Sequence, residues 1–473
     1  MGLVLLGYPG TERTEYFLKA AEELGDEVRF VCGPSFAVDW DADGFGRADG
    51  SDGRAYVPGG QTYGSGGRTY GPGGQEDVWG IDEEGFDFSQ LEGSVVKADP
   101  PLSSCYCVES LNAAVYSYLR FLRKLEQVPG IRLLNSCDAI ENTLDKFTCK
   151  QKLLQAGLPV TPVLAVAGTT AAGAVVVTGA ADAADAIATA GRGGAATAVA
   201  GGGAGAGAVA VTGAGAVAVT AAGAAATAGR GGAAAVVCTE GFAVAGAGDA
   251  VGAGACVEGF AGGLTFSRLR ELMCEKKIYQ VFIKPRFGSA SAGVVAYRLN
   301  PRTGEGMIET SAAMKDGRLI NTKRIRKTGD PAEISSIIGR VLSGGAIVEL
   351  WIPKATHDGR AYDLRAVFQF GRLEYLLARQ SRGPVTNLHL NNGALPIENL
   401  ALPPALPARL EALCGKAVSQ FPGLNVAGFD ILLRKDGAPM IIEINGQGDL
   451  LFQDIFAENR IYKEQIKAMR RML

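Results

Sequence analysis

Three polar residues late in the chain have the types and spacing to hold a metal ion. Asp430 lies in one short apolar run, Glu443 and Asn445 lie in the next, and Asp436-Gly437 separates the runs. An Asp-Gly pair between such runs predicts a β-hairpin. Residues two apart share a strand face, so Glu443 and Asn445 would lie together, and Asp430 could join them from the neighbouring strand. Their oxygens suit Mg²⁺, which usually binds one or two carboxylates plus phosphate oxygens. The alternative is a solvated strand face with incidental charges.

Two lysines could supply positive charge to a phosphate. Lys284 ends an apolar run and is followed by Pro285 and a loop of small residues that includes Gly288 and Ser289. Such a loop lets backbone N–H groups approach phosphate oxygens, and the lysine adds a point charge. Loops rich in Gly and Ser are also common turns without a ligand. Lys146, in the first turns of a predicted helix, could reach a phosphate as well or could simply be solvated.

A third segment could hold a planar base. It closes an apolar strand and is followed by Pro353. A strand end of this kind could offer backbone groups to a purine, with large side chains packing nearby, or it could be an ordinary linker. Its residues are Glu349, Leu350, Trp351 and Ile352.

Two arginines complete the set of candidate residues. Arg365 and Arg379 lie on runs that predict two antiparallel strands, and Asn387 follows the second strand. The planar guanidinium groups can hold a carboxylate or a transferring phosphoryl group. Surface ion pairs are the structural alternative.

The elements that would position these residues indicate an α/β protein. Residues 4–6 form an apolar run, Phe17, Ala21 and Leu24 recur at helical spacing, and residues 28–31 form a second apolar run. This pattern predicts a β-α-β opening and an open parallel sheet, although the turn lacks a complete G-x-G-x-x-G. From Ile278 onward short β-rich runs alternate with turns, and an amphipathic helix begins at about Asp454.

Two segments depart from ordinary globular sequence. Residues 41–75 are dominated by glycine and predict a flexible insertion in the first domain. Residues 165–262 are almost all Ala, Gly, Val and Thr. A transmembrane span would need Leu, Ile or Phe, and a solenoid would need large side chains to fill its core. The favoured interpretation is a mobile or poorly packed low-complexity insertion that cannot offset the entropy of ordering.

Composition argues against several classes of partner and site. A formal net charge of -3 and a pI near 5.7 argue against nucleic acid held by a basic surface. The nine cysteines lack paired metal-ligand spacing and there are only two histidines, so a zinc site is not expected. Free thiols indicate the cytoplasm. Residues 1–6 lack a basic leader and predict a strand instead of a signal peptide, and no membrane association is expected.

Taken in order, these segments resemble the ATP-grasp superfamily, especially the branch of glutathione synthetase and the ribosomal-protein glutamate ligases. The resemblance covers about residues 135–162 and 279–451. The N-terminal part is similar to the pre-ATP-grasp domain of an uncharacterised bacterial subgroup. The matching positions are Lys146, Lys284, Glu349, Asp363 with Arg365, Arg379, Asn387, and Asp430 with Glu443 and Asn445.

The resemblance implies an α/β fold of three parts, with α+β character in the ATP-grasp lobes. Residues 1–130 would form a Rossmann-like pre-ATP-grasp domain. Residues 131–348 would form the small lobe and a linker, including the long Ala/Gly insertion. Residues 349–473 would form the large lobe with the metal site.

The resemblance also implies ATP and Mg²⁺ as ligands, with two metal ions and with Mn²⁺ as an alternative metal. The metal ligands would be Asp430, Glu443 and Asn445. Contacts to ATP would come from Lys146, Lys284, Gly288, Ser289, Glu349, Leu350, Trp351 and Ile352. The catalytic residues would be Arg365, Arg379 and Asn387.

The implied reaction joins a carboxylate to an amine through an acyl phosphate and releases ADP and phosphate. A small-molecule kinase and a non-catalytic nucleotide-binding component of a biosynthetic complex stay open as alternatives. The partners would be small-molecule or peptide carboxylates and amines, with a homo-oligomer or biosynthetic partner proteins also open. Gly446-Gln447-Gly448-Asp449 replaces the Pro-Gly common in the family, which leaves acceptor binding unassigned.

Overall fold

The computed structural model describes residues 2–34, 85–101, 107–168, 174–178, 209–212, 216–219, 256–260, 263–288, 291–390 and 392–473. Within these ranges the chain is a mixed α/β structure in which three large sheets carry the helices on their faces. One predicted site residue, Ser289, and the predicted insertion at residues 41–75 lie outside the described residues, as does most of the segment 165–262.

The N-terminal sheet is entirely parallel, as the apolar runs of the opening residues predict. Its strands β1 (Leu3–Gly7), β2 (Val28–Cys32), β3 (Val95–Ala98) and β4 (Arg132–Leu133) lie in the order β2-β1-β3-β4. Helix α1 (Glu12–Leu24) connects β1 to β2. It begins after Thr11, whose hydroxyl accepts the N–H of Thr14, and ends at Gly25 in the left-handed conformation. Helix α2 (Leu111–Glu126) buries an aromatic and aliphatic face in the same domain.

Two short helices link this domain to the rest of the chain. Helix α3 (Cys137–Leu144) begins after Ser136, and helix α4 (Lys146–Gln155) begins after Asp145, whose carboxylate accepts the N–H groups of Phe147 and Thr148. The carboxylate at this position satisfies donors that the first helical turn leaves unpaired. Position 146 is therefore fixed as the first residue of α4.

The second sheet is antiparallel. In chain order its elements are β5 (Val163–Ala167), β6 (Ala174–Thr178), β9 (Cys256–Phe260), α5 (Phe266–Glu275), β10 (Gln280–Pro285), β11 (Val295–Leu299), β12 (Gly306–Lys315), β13 (Arg318–Thr328), α6 (Pro331–Ser343) and β14 (Ala346–Leu350), and a separate hairpin of β7 (Val209–Thr212) and β8 (Ala216–Val219) intervenes. The strand order is β13-β12-β11-β10-β14-β5-β6-β9. Helices α5 and α6 cover one face with an apolar core.

The third sheet is also antiparallel and contains the predicted hairpin. Its elements are β15 (Thr356–His357), β16 (Arg360–Gln369), β17 (Arg372–Ser381), β18 (Gly393–Leu395), α7 (Leu406–Val418), β19 (Val426–Leu433), β20 (Pro439–Asn445), α8 (Phe452–Ala457) and α9 (Arg460–Arg471). The order is β18-β17-β16-β19-β20, with β15 paired to β16. Gly437 adopts a φ of 75° in the turn between β19 and β20, which explains the Asp-Gly signal.

The start of the predicted Ala/Gly insertion overlaps a strand of the second sheet. Ala165 and Ala167 are buried in β5, which pairs with β14 inside the second sheet. Small apolar side chains fit a strand that is covered on both faces, so low complexity here does not mean separation from the core. Strands β6 and β9 extend the same sheet at residues 174–178 and 256–260. The predicted domain boundary at 348/349 falls within β14.

No helix in the described ranges is long and apolar enough to cross a lipid bilayer.

Candidate functional site

A cavity of about 720 Å³ lies where the three sheets meet. It collects nearly all of the residues that the sequence singled out, although they come from segments far apart in the chain. The predicted site residues that line it are Lys146, Lys284, Gly288, Glu349, Leu350, Ile352, Arg365, Arg379, Asn387, Asp430, Glu443 and Asn445.

The hairpin of β19 and β20, called here the metal hairpin, presents the predicted metal ligands to this cavity. Asp430 is directly opposite Glu443 in the strand register, and Asn445 is two residues further along β20. Paired residues on neighbouring antiparallel strands point to the same face, so both carboxylates and the amide share one wall. The described residues contain no cluster of three or more His, Cys, Asp or Glu suited to a metal. Two carboxylates and an amide nevertheless fit Mg²⁺ that takes its other ligands from phosphates and water.

Two arginines hold Asp430 in its ionised form. Arg365 donates Nη1–H to Asp430 Oδ1 and Nη2–H to the carbonyl of Gly448, at 3.0 Å. Arg379 Nη2 lies 3.0 Å from Asp430 Oδ2 and its Nε donates to Asp363 Oδ1 at 2.8 Å. Burial alone would raise the pKa of Asp430, but Arg379 and Arg365 together lower it below its ordinary value. The carboxylate is therefore charged at neutral pH.

Lys146 connects helix α4 to both neighbouring elements of the cavity. Its Nζ donates to the carbonyl of Gly288 at 2.6 Å and lies 3.3 Å from Glu443 Oε1. The start of α4 is held by Arg286, which makes a bidentate pair with Asp145 at 2.8 and 2.6 Å. The lysine thus has a defined position beside the metal hairpin.

The side chain of Glu349 lies beside two lysines. Its carboxylate is 2 % exposed and accepts a hydrogen bond from Lys284 Nζ at 2.9 Å. Lys150 Nζ lies 3.4 Å from the other oxygen, and Thr161 donates its hydroxyl at 2.9 Å. A buried carboxylate needs such partners because its desolvation is costly. The side chain of Glu349 therefore positions Lys284 and Lys150, and a contact of this segment with a purine stays a prediction.

Burial and neighbouring charges shift the pKa of Glu349 and of both lysines. Burial would raise the pKa of Glu349, but Lys150 and Lys284 lower it. Burial would lower the pKa of Lys284, but Glu349 and Glu443 raise it, so Lys284 is protonated. For Lys150, burial lowers the pKa more than Glu349 raises it. Lys284 lines the cavity and Lys150 does not, so Lys284 is the cation of this cluster that can attract an anionic ligand.

The predicted base-binding segment Glu349–Ile352, called here the hinge, has its other residues divided between the cavity and the sheet. The N–H groups of Leu350 and Trp351 already donate to the carbonyls of Pro162 and Gln280, at 2.9 and 3.2 Å. Trp351 is not among the residues that line the cavity. Its ring packs on Phe282, with 5.0 Å between centroids, and under Arg298, whose guanidinium lies 4.4 Å from the ring. Aromatic and cation–π contacts thus hold Trp351 on the sheet, and Ile352 is the large side chain of the pair that lines the cavity.

Asn387 links the third sheet to the small-residue loop. Its Nδ2 donates to Ser291 Oγ at 3.0 Å. Ser291 adopts a φ of 62°, which a non-glycine residue takes only when its surroundings hold it there. Asn392 in turn donates to the carbonyl of Asn387 at 2.9 Å. This contact joins the loop after β10 to the segment after β17.

A second buried ion cluster was missed in the sequence. Lys354 Nζ lies 2.9 Å from Asp363 Oδ2 and 2.7 Å from the hydroxyl of Thr386. Asp363 also holds Arg379, and these cations lower its pKa although burial alone would raise it. In the sequence, the only mark of Lys354 is its place after Pro353, directly beyond the hinge. The partners of Lys354 lie on β16 and beyond β17, so sequence spacing could not identify them.

Comparison with family models and with curated proteins finds no match. Among solved structures, the chain is similar to the D-cycloserine synthetase DcsG, with 12% identity, a TM-score of 0.49 and full coverage of both chains. It is also similar to the macrocyclase MdnC of Microcystis aeruginosa MRC, bound with the precursor peptide MdnA, at 11% identity and a TM-score of 0.41 over 100% of this chain and 99% of that one. A third similar structure is a RiPP-associated ATP-grasp ligase of Chryseobacterium gregarium in complex with ADP and a leader and core peptide. It has 10% identity and a TM-score of 0.41, and the match covers 100% of this chain and 98% of that one.

Proposed function

We propose that this chain is an ATP-grasp enzyme that ligates a carboxylate to an amine through an acyl phosphate. The observation that supports the proposal is the convergence, in one cavity, of a hard-oxygen metal set with cations from four other elements, α4, β10, β16 and β17. The cations are Lys146, Lys284, Arg365 and Arg379. Ligands of Mg²⁺ and donors to phosphate in one enclosed space suit ATP better than a metal or an anion alone.

The nucleotide would lie with its phosphates between the metal hairpin and the loop after β10. Lys284 and Lys146 provide charge on that side, and Gly288, with a φ of 130°, lets the backbone approach closely. Asp430, Glu443 and Asn445 would hold Mg²⁺, which when bound neutralises phosphate charge. The purine would lie against the buried side chains of Leu350 and Ile352, on the wall that also includes Phe282.

The chemistry needs no nucleophile from the protein. The substrate carboxylate oxygen attacks the γ-phosphorus of ATP, the bond to the ADP oxygen breaks, and ADP leaves with that electron pair. Lys146, Lys284 and Arg379 stabilise the charge on the transferring phosphoryl group. The amine nitrogen then attacks the acyl carbon, phosphate departs, and the nitrogen proton passes to solvent. Arg379 is fixed by Asp363 and Asp430, so its orientation is set before substrate binds.

The domain assignment follows the same proposal. Residues 1–130 would be the pre-ATP-grasp domain, and the second and third sheets would be the two lobes. The small lobe would then include β14 to its end at Leu350, because this strand pairs with β5 and β10.

The test measures Mg²⁺-dependent ADP formation from ATP with pools of carboxylates and amines. We expect ADP to form together with an amide, and Asp430→Asn and Glu443→Gln to abolish it. Asp358→Asn, in an exposed turn, is the matched control and should retain activity. Turnover that survives both metal-hairpin substitutions contradicts the proposal. A stable phosphorylated product without an amide would identify a kinase, and nucleotide binding without turnover would identify a non-catalytic protein.

A further inference from the structure

One wall of the cavity comes from the N-terminal sheet and has no role in the chemistry described so far. It is formed by the loop after β1, the start of helix α1, the end of β3, helix α2 and the loop after the metal hairpin, and we call it the acceptor wall. Its residues include Tyr8, Arg13, Asp99, Tyr118 and Gln447. Gln447 follows Asn445 by two positions, so this wall adjoins the proposed metal site directly.

Asp99 is buried on this wall with one carboxylate oxygen unused. The residue is 3 % exposed, and its backbone N–H donates to the carbonyl of Leu6 at 2.8 Å, which fixes it at the end of β3. Oδ1 accepts a hydrogen bond from Lys97. Oδ2 is buried and has no hydrogen-bond partner in the part of the chain that the structure describes. Buried acceptors are almost always paired, so an unpaired one calls for a specific explanation.

Gln447 contributes a second unused acceptor beside Asp99. Its Nε2 donates to the carbonyl of Ala98 at 2.7 Å and to the hydroxyl of Tyr118 at 2.6 Å. These two bonds use both amide hydrogens and assign the orientation of the group. Oε1 is left buried and, among the described residues, without a partner. Because Nε2 bonds the residue immediately before Asp99, the two acceptors belong to one small region.

Arg13 on this wall and Lys97, two residues before Asp99 in the chain, are both already paired with carboxylates. Arg13 is paired with Asp449, and Lys97 is paired with Asp99 and lies 3.4 Å from Asp449 Oδ2. Burial raises the pKa of Asp99 more than Lys97 and Arg13 lower it, which reflects the incomplete set of partners. Two cations facing two carboxylates leave no charge for a carboxylate ligand. The unused groups are acceptors, so the wall suits a ligand that donates hydrogen bonds.

We propose that Asp99 and Gln447 form the subsite for the amine substrate, whose primary amino group donates to Asp99 Oδ2 and Gln447 Oε1. This inference rests on the proposed ligase function, which requires an amine beside the metal hairpin. It places part of the binding site for the amine in the loop Gly446–Asp449, to which the sequence assigned no substrate. Both residues bind and orient the amine without taking part in phosphoryl transfer.

The test uses the full chain with Mg²⁺ and ADP and a panel of L- and D-amino acid amides, each compared with its N-acetylated form. Binding is measured by isothermal titration. We expect at least one amide to bind the wild type and its N-acetylated form to bind at least tenfold more weakly. Asp99→Asn should weaken binding of that amide tenfold or more, and the control Asp358→Asn should leave it unchanged. ADP binding should be the same in all variants.

A second substitution keeps the outcome decisive if Asp99→Asn fails to fold, which loss of ADP binding would reveal. Gln447→Met removes Oε1 and should weaken binding of the same amino acid amide by a similar factor. Equal affinity of the amide for wild type and for a folded variant overturns the proposal, as does a panel in which no amide binds. Failure of the ligase function would look different: amides would bind in an Asp99-dependent way, but no ADP would form.

Discussion

Lys146 Nζ lies 3.3 Å from Glu443 Oε1, and this contact ties helix α4 to the metal hairpin. Because the same lysine also bonds the carbonyl of Gly288, it joins the helix, the loop and the hairpin at one point. The groups proposed to bind phosphate and metal are therefore positioned relative to one another before any ligand arrives.

Replacing Lys146 by Ala should lower ADP formation about 10²–10³-fold, the loss typical of one group that stabilises developing charge. The measurement is kcat/KM for ATP under Mg²⁺ saturation. Lys152→Ala on the same helix is the control, since Lys152 is not among the residues that line the cavity. A Lys146→Ala enzyme within threefold of the wild type would show that this lysine does not contact the phosphates.

Replacing Glu349 by Gln should destabilise the fold by about 3–5 kcal/mol, because it leaves Lys284 and Lys150 buried without their carboxylate. The free energy of unfolding in urea measures this. Glu275→Gln, whose side chain is more than half exposed and pairs with Arg268, should change the free energy by less than about 1 kcal/mol. Equal changes in the free energy of unfolding for the two substitutions would contradict the role of Glu349 as the buried partner of the two lysines.

The pKa of Asp449 is lowered to about 2, since Lys97 and Arg13 outweigh the effect of burial. A depressed folded-state pKa contributes stability above the unfolded value, near 3.9, and this contribution is lost as the pH falls through about 2. The contribution at neutral pH is on the order of 2–3 kcal/mol. Unfolding free energies between pH 6 and pH 2 should fall more steeply for the wild type than for Asp449→Asn. If the unfolding free energies of the wild type and of Asp449→Asn fell in parallel with pH, the lowered pKa of Asp449 would be contradicted.

Replacing Gly428 by Ala should damage the metal hairpin. An added Cβ would lie 2.1 Å from the carbonyl oxygen of Gly448 and 2.8 Å from Arg365 Nη2, and backbone cannot give way as a flexible side chain does. We expect a loss of stability of about 1–3 kcal/mol from overpacking, and a loss of Mg²⁺-dependent turnover. Gly339→Ala in helix α6, where nothing lies within 4 Å, should instead stabilise the fold by about 0.5–1 kcal/mol. Thermal unfolding of both variants decides between these outcomes, and a Gly428→Ala protein as stable as the wild type would contradict the close packing.

Local patterns in the sequence predicted the parts of the fold that local chemistry determines. The Asp436-Gly437 pair predicted the turn between β19 and β20, and apolar periodicity predicted the first β-α-β unit with its parallel sheet. The period of two predicted that Glu443 and Asn445 share a face. Each of these depends on residues close together in the chain.

Sequence patterns of this kind could not predict contacts between segments that are far apart in the chain. Lys150 lies on the same helix as Lys146, but only the fold places Glu349 beside it. From the sequence alone, Trp351 could have faced a ligand or the sheet. Its packing on Phe282 and Arg298 depends on strands β10 and β11, which lie far earlier in the chain. Gln447 reaches Ala98, the residue before Asp99, because the N-terminal sheet lies against the loop after β20.

The central claim, activation of a carboxylate as an acyl phosphate, has a direct isotopic test. The full chain is incubated with ATP, Mg²⁺, amines and a pool of carboxylates labelled with ¹⁸O, and the released phosphate is analysed by mass spectrometry. Phosphoryl transfer to the carboxylate, followed by attack of the amine at the acyl carbon, leaves one carboxylate oxygen on the phosphate. We predict phosphate that carries one ¹⁸O, formed together with ADP. Unlabelled phosphate, or AMP with pyrophosphate, would contradict the account.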